Sequence, residues 1–223
     1  AAASGTRIAY FPSALQHESI QPEVRATAQS FIEQLQEEWH TVEGVEFDLL
    51  DYLIPAYYVL TTAEASSNLS RYDGIRYGYR SKNATDLLST YQQSRTEGFG
   101  TEVKRRIMLG TFVLSAGYYD AYYTKAQKVR RLLKEKTDAI FRDYDFIMMP
   151  AAPTTAWKLG DTSADPVEMY LADIFTVQAN MAGIPAICIP VGSDDAGLPI
   201  GMQLIGPKFA ETALLSLAST LIR

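Results

Sequence analysis

Apolar and polar positions along the chain switch between two rhythms. Arg7 to Phe11 is a short apolar run closed by Pro12, which predicts a strand. From Pro22 to His40, Val24, Ala28, Phe31, Ile32 and Leu35 recur at helical spacing. Glu33, Glu37 and Glu38 cover the outer face, and Pro22 suits a first turn. Val42 to Leu50 returns to an extended pattern. The three segments predict a β-α-β unit, because a parallel partner strand needs a helical crossover. Pro55 to Tyr72 reads as a helix rich in Ala, Leu and Tyr. Tyr72 to Arg80 has two glycines, three tyrosines and no period, which predicts a structured loop. Ala84 to Glu97 is a short helix broken by Gly98-Phe99-Gly100. Thr101–Tyr119 and Ala121–Phe141 read as long helices, and Asp145–Met149 as a buried strand ended by Pro150 and Pro153. Pro166 to Ala182 reads as one helix with Gly183 as its stop. Ile184–Val191 and Leu198–Ile205 form a hairpin through Asp194-Asp195-Ala196-Gly197, and Glu211–Ile222 closes the chain as a helix. The order predicts an α/β fold with a helical insertion in the middle.

Composition narrows the class. The chain has 223 residues, 47% hydrophobic and 21% charged, which is ordinary for a globular protein. It holds no apolar run long enough for a transmembrane helix and no secretory leader pattern. Ala1 to Gly5 reads as a linker or cloning scar. The net charge is −6 and unevenly spread. Up to Asp51 there are nine acids against only Arg7 and Arg25. A chain with this balance is a poor stand-alone nucleic-acid binder. The single cysteine, Cys188, lies in an apolar run and reads as a small core hydrophobe. His17 and His40 are far from any other ligand cluster, so no metal site is expected.

Two charges stand out of place. On the helix from Thr101, Val103, Ile107, Gly110, Val113, Leu114 and Gly117 share one stripe, and Arg106 falls within it. A guanidinium on an apolar face needs an anionic partner. It is either one half of a structural ion pair or an anion-binding arginine. Asp173 is the only charged residue from Met169 to Ser193. It is either a buried acceptor that supports its helix or a ligand group. One such Arg and one such Asp, both expected to be largely buried, would suit a zwitterion if they converge. Ser66-Ser67 with Lys82 reads as packing rather than a nucleophile pair, since nothing beside it forms an oxyanion nest. The basic run Lys125, Lys128, Arg130, Arg131, Lys134 and Lys136 reads as a solvated face or as a contact to RNA or an acidic partner. Tyr118, Tyr119, Tyr122 and Tyr123 are expected between helices. There is no G-x-S-x-G elbow and no P-loop.

Several segments resemble the amidase signature family, and within it the A-subunit branch of tRNA-dependent amidotransferases. They are Pro55–Tyr58 (PAYY), Ala63–Leu69 (AEASSNL), Arg71–Arg80 (RYDGIRYGYR), Glu97–Thr111 (EGFGTEVKRRIMLGT), Ser115–Tyr123 (SAGYYDAYY), Met169–Thr176 (MYLADIFT) and Gly197–Gly206 (GLPIGMQLIG). The last is general to the family; RYDGIRYGYR and EVKRRIMLGT are specific to the branch. The resemblance implies a mixed sheet between helical layers, with residues 6–223 as the C-terminal part of one amidase-signature domain. It implies a cytoplasmic glutaminase whose ammonia converts Glu-tRNA(Gln) to Gln-tRNA(Gln), or Asp-tRNA(Asn) to Asn-tRNA(Asn). It implies B and C subunits as partners, with the misacylated tRNA, ATP and Mg held mainly by B. No cofactor and no membrane contact are implied for this chain. On matching positions, Arg106 resembles the group that holds the α-carboxylate of glutamine, Asp173 the group that holds its α-ammonium, and Tyr57 a further contact. The family's Ser/Ser/Lys nucleophile segment has no counterpart in these residues. No catalytic residue is therefore assigned, the chain alone is expected to be inactive, and self-association through an uncovered apolar face is expected. Gln178 departs from the small residue or proline expected there.

Overall fold

The computed structural model describes residues 5–38, 40–160 and 166–222, with the side chains of residues 166–168 left aside. Of the Ala1–Gly5 linker only Gly5 lies among them. The chain divides into two compact units, one of residues 1–54 and 130–223 and one of residues 55–129.

The first unit is built on a five-stranded sheet. Its strands are β1 (Arg7–Tyr10), β2 (Thr41–Gly44), β3 (Phe146–Pro150), β4 (Ala186–Ser193) and β5 (Pro199–Ile205), in the order β2-β1-β3-β5-β4. β1 runs parallel to β2 and to β3. β5 runs antiparallel to β3 and β4. The sheet is therefore mixed, as the resemblance implied. Among the helices, α1 is Pro12–Leu15, α2 is Pro22–Glu37, α7 is Pro166–Leu171, α8 is Val177–Ala182 and α9 is Glu211–Leu221. The β-α-β unit forms as the periodicity predicts: α2 crosses between β1 and β2 and buries Val24, Ala28, Phe31, Ile32 and Leu35. Ala28, Phe31, Ile32 and Leu35 join Leu214, Leu217, Ala218 and Leu221 of α9 in one core cluster with Ile8, Met148, Met202 and Leu204 of the sheet, while Val24 packs with Ile20 and Ile200. β3 is buried at every position, which is why its sequence FIMMP is a continuous apolar run rather than an alternation.

The β4–β5 hairpin closes through an aspartate turn. Asp194 Oδ1 accepts from the backbone N–H of Leu198 at 2.8 Å and of Ala196 at 3.0 Å. Gly197 completes the turn at φ 80°, a left-handed value that glycine adopts without cost. The expectation for Cys188 fails here: it is exposed. β4 is an edge strand, and its alternation puts Ile189 into the core and Cys188 on the opposite face.

Two long-helix expectations are also corrected. The segment from Pro166 to Ala182 is two helices, α7 and α8, joined by turns over residues 172–176. Contacts from N–H to the third carbonyl back replace the helical ladder there: Asp173 to Tyr170, Ile174 to Leu171 and Thr176 to Asp173. Within these turns Ile174 and Phe175 are both buried in the core, at 1% and 0% exposure.

The second unit holds most of α3 (Leu50–Leu69), then α4 (Leu87–Gly98) and α5 (Thr101–Val113). α5 stops at Val113 rather than Tyr119. A turn at Ser115 follows, and a π-helical segment, Tyr119–Thr124, leads into α6 (Lys125–Ile140). Tyr118, Tyr119 and Tyr122 are not packed between helices but exposed, with Phe112 ring-to-ring against Tyr118 and Tyr122. The loop over residues 72–81 is structured, as its composition suggested. Asp73 Oδ1 accepts from Ile75 N at 2.8 Å, and Arg95 Nη1 donates to the carbonyls of Leu69 and Tyr72. Tyr79 and Ser81 both donate to the Glu97 carboxylate, which holds it below the usual carboxylate range and pushes the Tyr79 hydroxyl up.

Three aspartates share one arrangement and predict acid sensitivity. Asp194, Asp73 and the α4 N-cap Asp86 are each held below the usual range chiefly by backbone N–H donors, from Leu198, Ile75 and Ser89 respectively. A carboxyl group whose folded value is lowered adds stability above its ordinary value and loses it as pH falls through the lowered one. Urea midpoints are therefore expected to fall as pH drops below about 4. Asp194→Asn keeps an acceptor but removes the charge, so it should flatten part of that decline. An acid slope identical to that of the parent chain would refute the assignment.

Candidate functional site

Arg106 is presented by the N-terminal half of α5. Its Nε donates to Glu102 Oε1 at 3.0 Å, and Arg105 donates to the other oxygen of the same carboxylate at 3.1 Å. The guanidinium lies over the ring of Tyr58, 5.7 Å from its centroid, within cation–π range. Tyr57 meets Tyr58 edge-on at 5.4 Å and 86°. The residues around Arg106 thus form a small cluster in which Tyr58 backs the arginine and Tyr57 lies one ring further out. The expectation of a largely buried Arg106 is corrected: its side chain is 39% exposed. The apolar stripe is real, but only Gly110 and Val113 are buried along it, while Val103 and Ile107 near the N-terminus are half-buried.

Asp173 belongs to the sheet unit and lies in the turn between α7 and α8. It is exposed rather than buried, because Ile174 and Phe175 take the core positions of that turn. Its carbonyl accepts the hydroxyl of Thr176 at 3.1 Å. Beside it in sequence, Ala172 lines a cavity of about 320 Å³ whose wall also includes Thr154, Thr155, Trp157, Ile200 and Gly201. Gln21 Oε1 fixes that wall by accepting from Thr155 N at 3.0 Å. The cavity went unrecognised in the sequence. Its signals were the Pro150 and Pro153 stops followed by paired threonines and a tryptophan, 55% exposed, in a loop.

The other candidates resolve into packing or ion pairs. Ser66 Oγ meets Thr111 Oγ1 at 3.0 Å, a contact between α3 and α5. Along the basic run, Arg131 pairs with Glu135, Lys134 with Asp138 and Lys136 with Asp48, while Arg130 donates to the Met181 carbonyl at 3.0 Å. Among the described residues, no three His, Cys, Asp or Glu gather into a metal-binding group, and no helix is long and apolar enough to cross a membrane.

Comparison with known proteins adds to this geometry. The family model described as Amidase matches residues 1–215. The chain is 53% identical over 201 residues to the A subunit of the glutamyl-tRNA(Gln) amidotransferase of Agathobacter rectalis, covering 90% of this chain and 40% of that protein. It is 54% identical over 199 residues to the protein of the same name from Halothermothrix orenii, covering 89% of this chain and 42% of that one. The crystal structure of the Thermotoga maritima counterpart, likewise the A subunit of a glutamyl-tRNA(Gln) amidotransferase, superposes with a TM-score of 0.70 at 37% identity, over 95% of this chain and 40% of that one. The chain thus spans about two fifths of the length of the relatives it matches.

Proposed function

The chain belongs to the amidase family, and on that premise we propose that it is part of the glutaminase component of a tRNA-dependent amidotransferase. In this reading glutamine supplies ammonia that converts Glu-tRNA(Gln) to Gln-tRNA(Gln), or Asp-tRNA(Asn) to Asn-tRNA(Asn). The observation that carries it is the 53% identity over 201 residues to the A subunit of a glutamyl-tRNA(Gln) amidotransferase. The acidic stretch up to Asp51 supports the same division of labour. A chain with nine acids against two arginines up to Asp51 leaves the grip on tRNA phosphates to a partner. The B and C subunits are the proposed partners, with ATP and Mg handled by B in the cytoplasm.

Glutamine is held at its amino-acid end. The planar fork of Arg106 suits the α-carboxylate. The ring of Tyr58 behind it limits the directions the guanidinium can take. By the same resemblance the α-ammonium is assigned to Asp173, and Tyr57 is a further contact. None of these residues attacks the side-chain amide. That step is assigned to a Ser/Ser/Lys segment outside these residues, because acyl transfer needs an activated nucleophile.

Three measurements test the reading. The purified chain is expected to release no ammonia from glutamine above a heat-killed control. The full-length polypeptide, co-expressed with B and C subunits, is expected to amidate Glu-tRNA(Gln) with glutamine. Hydrolysis of simple small amides without transamidation would overturn the reading in favour of a small-amide hydrolase. Light scattering on the isolated chain is expected to show self-association.

A further inference from the structure

Two buried amides meet the Asp173 turn from its C-terminal side. Gln203 is 3% exposed and sits on β5, whose ladder neighbours at that position are Met149 on β3 and Cys188 on β4. Its backbone is therefore fixed from both sides. Its Nε2 donates to the Phe175 carbonyl at 2.8 Å, a buried bond spanning 28 residues of sequence. Gln178, fully buried, donates to Thr137 Oγ1 at 3.1 Å, and that hydroxyl donates onward to the Leu133 carbonyl at 2.8 Å. The first amide pins the turn to the sheet. The second pins the start of α8 to α6.

The turn needs such anchors. Apart from one bond from Val177 N–H to the Asp173 carbonyl, its own backbone bonds are contacts to the third residue back, which hold a backbone poorly beyond a few residues. A glutamine in an apolar core is costly unless its amide is used. At Gln203 a leucine or methionine would fill the space, so the polar group is explained by what it holds. What it holds is the carbonyl two residues beyond Asp173. The backbone direction at Phe175 sets how Ile174 enters the core and so where the Asp173 carboxylate leaves it.

We propose that Gln203 is a positioning residue for Asp173: its bond to the Phe175 carbonyl fixes the turn that aims the carboxylate, with Gln178 securing the adjoining end of α8. The proposal rests on the reading of Asp173 given above and adds a residue to the same site. Gln203 touches no substrate in this scheme and acts only through the turn.

The test uses the full-length enzyme with its partner subunits. Gln203→Met conserves volume and removes the donor. It is expected to raise the glutamine KM about tenfold while ammonia-dependent amidation stays within about twofold. Amide hydrogen exchange at residues 173–177 should accelerate. Gln203→Glu supplies the sharper readout. A carboxyl group buried there has a raised pKa, and while protonated it can donate to the same carbonyl. Its glutamine KM should approach the parent value at low pH and climb as pH rises, a profile that the parent and Gln203→Met lack. If Gln203→Met fails to fold, the Gln203→Glu profile still decides. A flat Gln203→Glu profile, an unchanged KM with unchanged exchange in folded Gln203→Met, or proportional loss of glutamine- and ammonia-dependent activity would each overturn the proposal. Asp173→Ala separates the two levels. If it leaves the glutamine KM unchanged, the reading of Asp173 falls. If it raises KM while the Gln203 variants do not, only the positioning role falls.

Discussion

Arg106→Ala, placed in the full-length enzyme, is expected to raise the glutamine KM by about 10- to 100-fold and leave ammonia-dependent amidation within about twofold. A hydrogen bond to a charged group is worth about 1.5–3 kcal/mol, which converts to that range. The low end is favoured. Arg106 is 39% exposed and already shares the Glu102 carboxylate with Arg105, so solvent and a resident acid both screen its pull on a second carboxylate. Arg106→Lys should recover only part of the loss, because a point charge lacks the two-pronged fork. Asp173→Ala is expected to behave alike, since free ammonia needs neither the carboxylate nor the ammonium site. Steady-state assays with each nitrogen donor check this. Equal loss with both donors would reduce Arg106 to a partner in the Glu102 ion pair.

The elements that could be read from the sequence are those with a local cause. The β1-α2-β2 crossover follows from a change of period at Pro22 and back at Val42, and the hairpin from an aspartate turn ending in glycine. The misread elements have distant causes. The 166–182 segment is apolar almost throughout, so no period betrays the break. The break is held by Gln203, 28 residues away. Cys188 is exposed because of sheet order, which puts β4 at an edge, and nothing in the run around it records that. The long helix from Thr101 did carry a warning in Ser115 and Gly117, and the chain turns there. The site residues divide the same way. Arg106 and Asp173 could be picked out as charges among apolar neighbours, but their exposure could not. It depends on how thinly the first half of α5 is covered and on which residues of the turn the core accepts.

Gly110→Ala is expected to destabilise the protein by about 2 kcal/mol, against a helix-propensity gain of about 1 kcal/mol for removing a mid-helix glycine. Packing decides the sign. A Cβ on Gly110 would stand 2.0 Å from the Thr62 carbonyl oxygen and 2.6 Å from Ser66 Cβ. The obstacle is backbone of α3, which has no rotamer to yield, so the two helices must separate. Overpacking of this kind costs about 1–3 kcal/mol, and more where backbone must move. In a chain of this length the net loss lowers the thermal midpoint by about 4–8 °C. Gly117→Ala is the control. Nothing lies within 4 Å of its Cβ position, so it is expected to be neutral or stabilising by up to about 1 kcal/mol. The separation also reaches the proposed glutamine group. Thr62 and Gly110 are one turn beyond Tyr58 and Arg106 on their respective helices, so both pairs are rungs of one helix contact. Forcing one rung apart moves the guanidinium off the ring. Gly110→Ala should therefore also raise the glutamine KM of the full-length enzyme. A Gly110→Ala chain as stable as its parent would refute the close α3–α5 contact on which both effects rest.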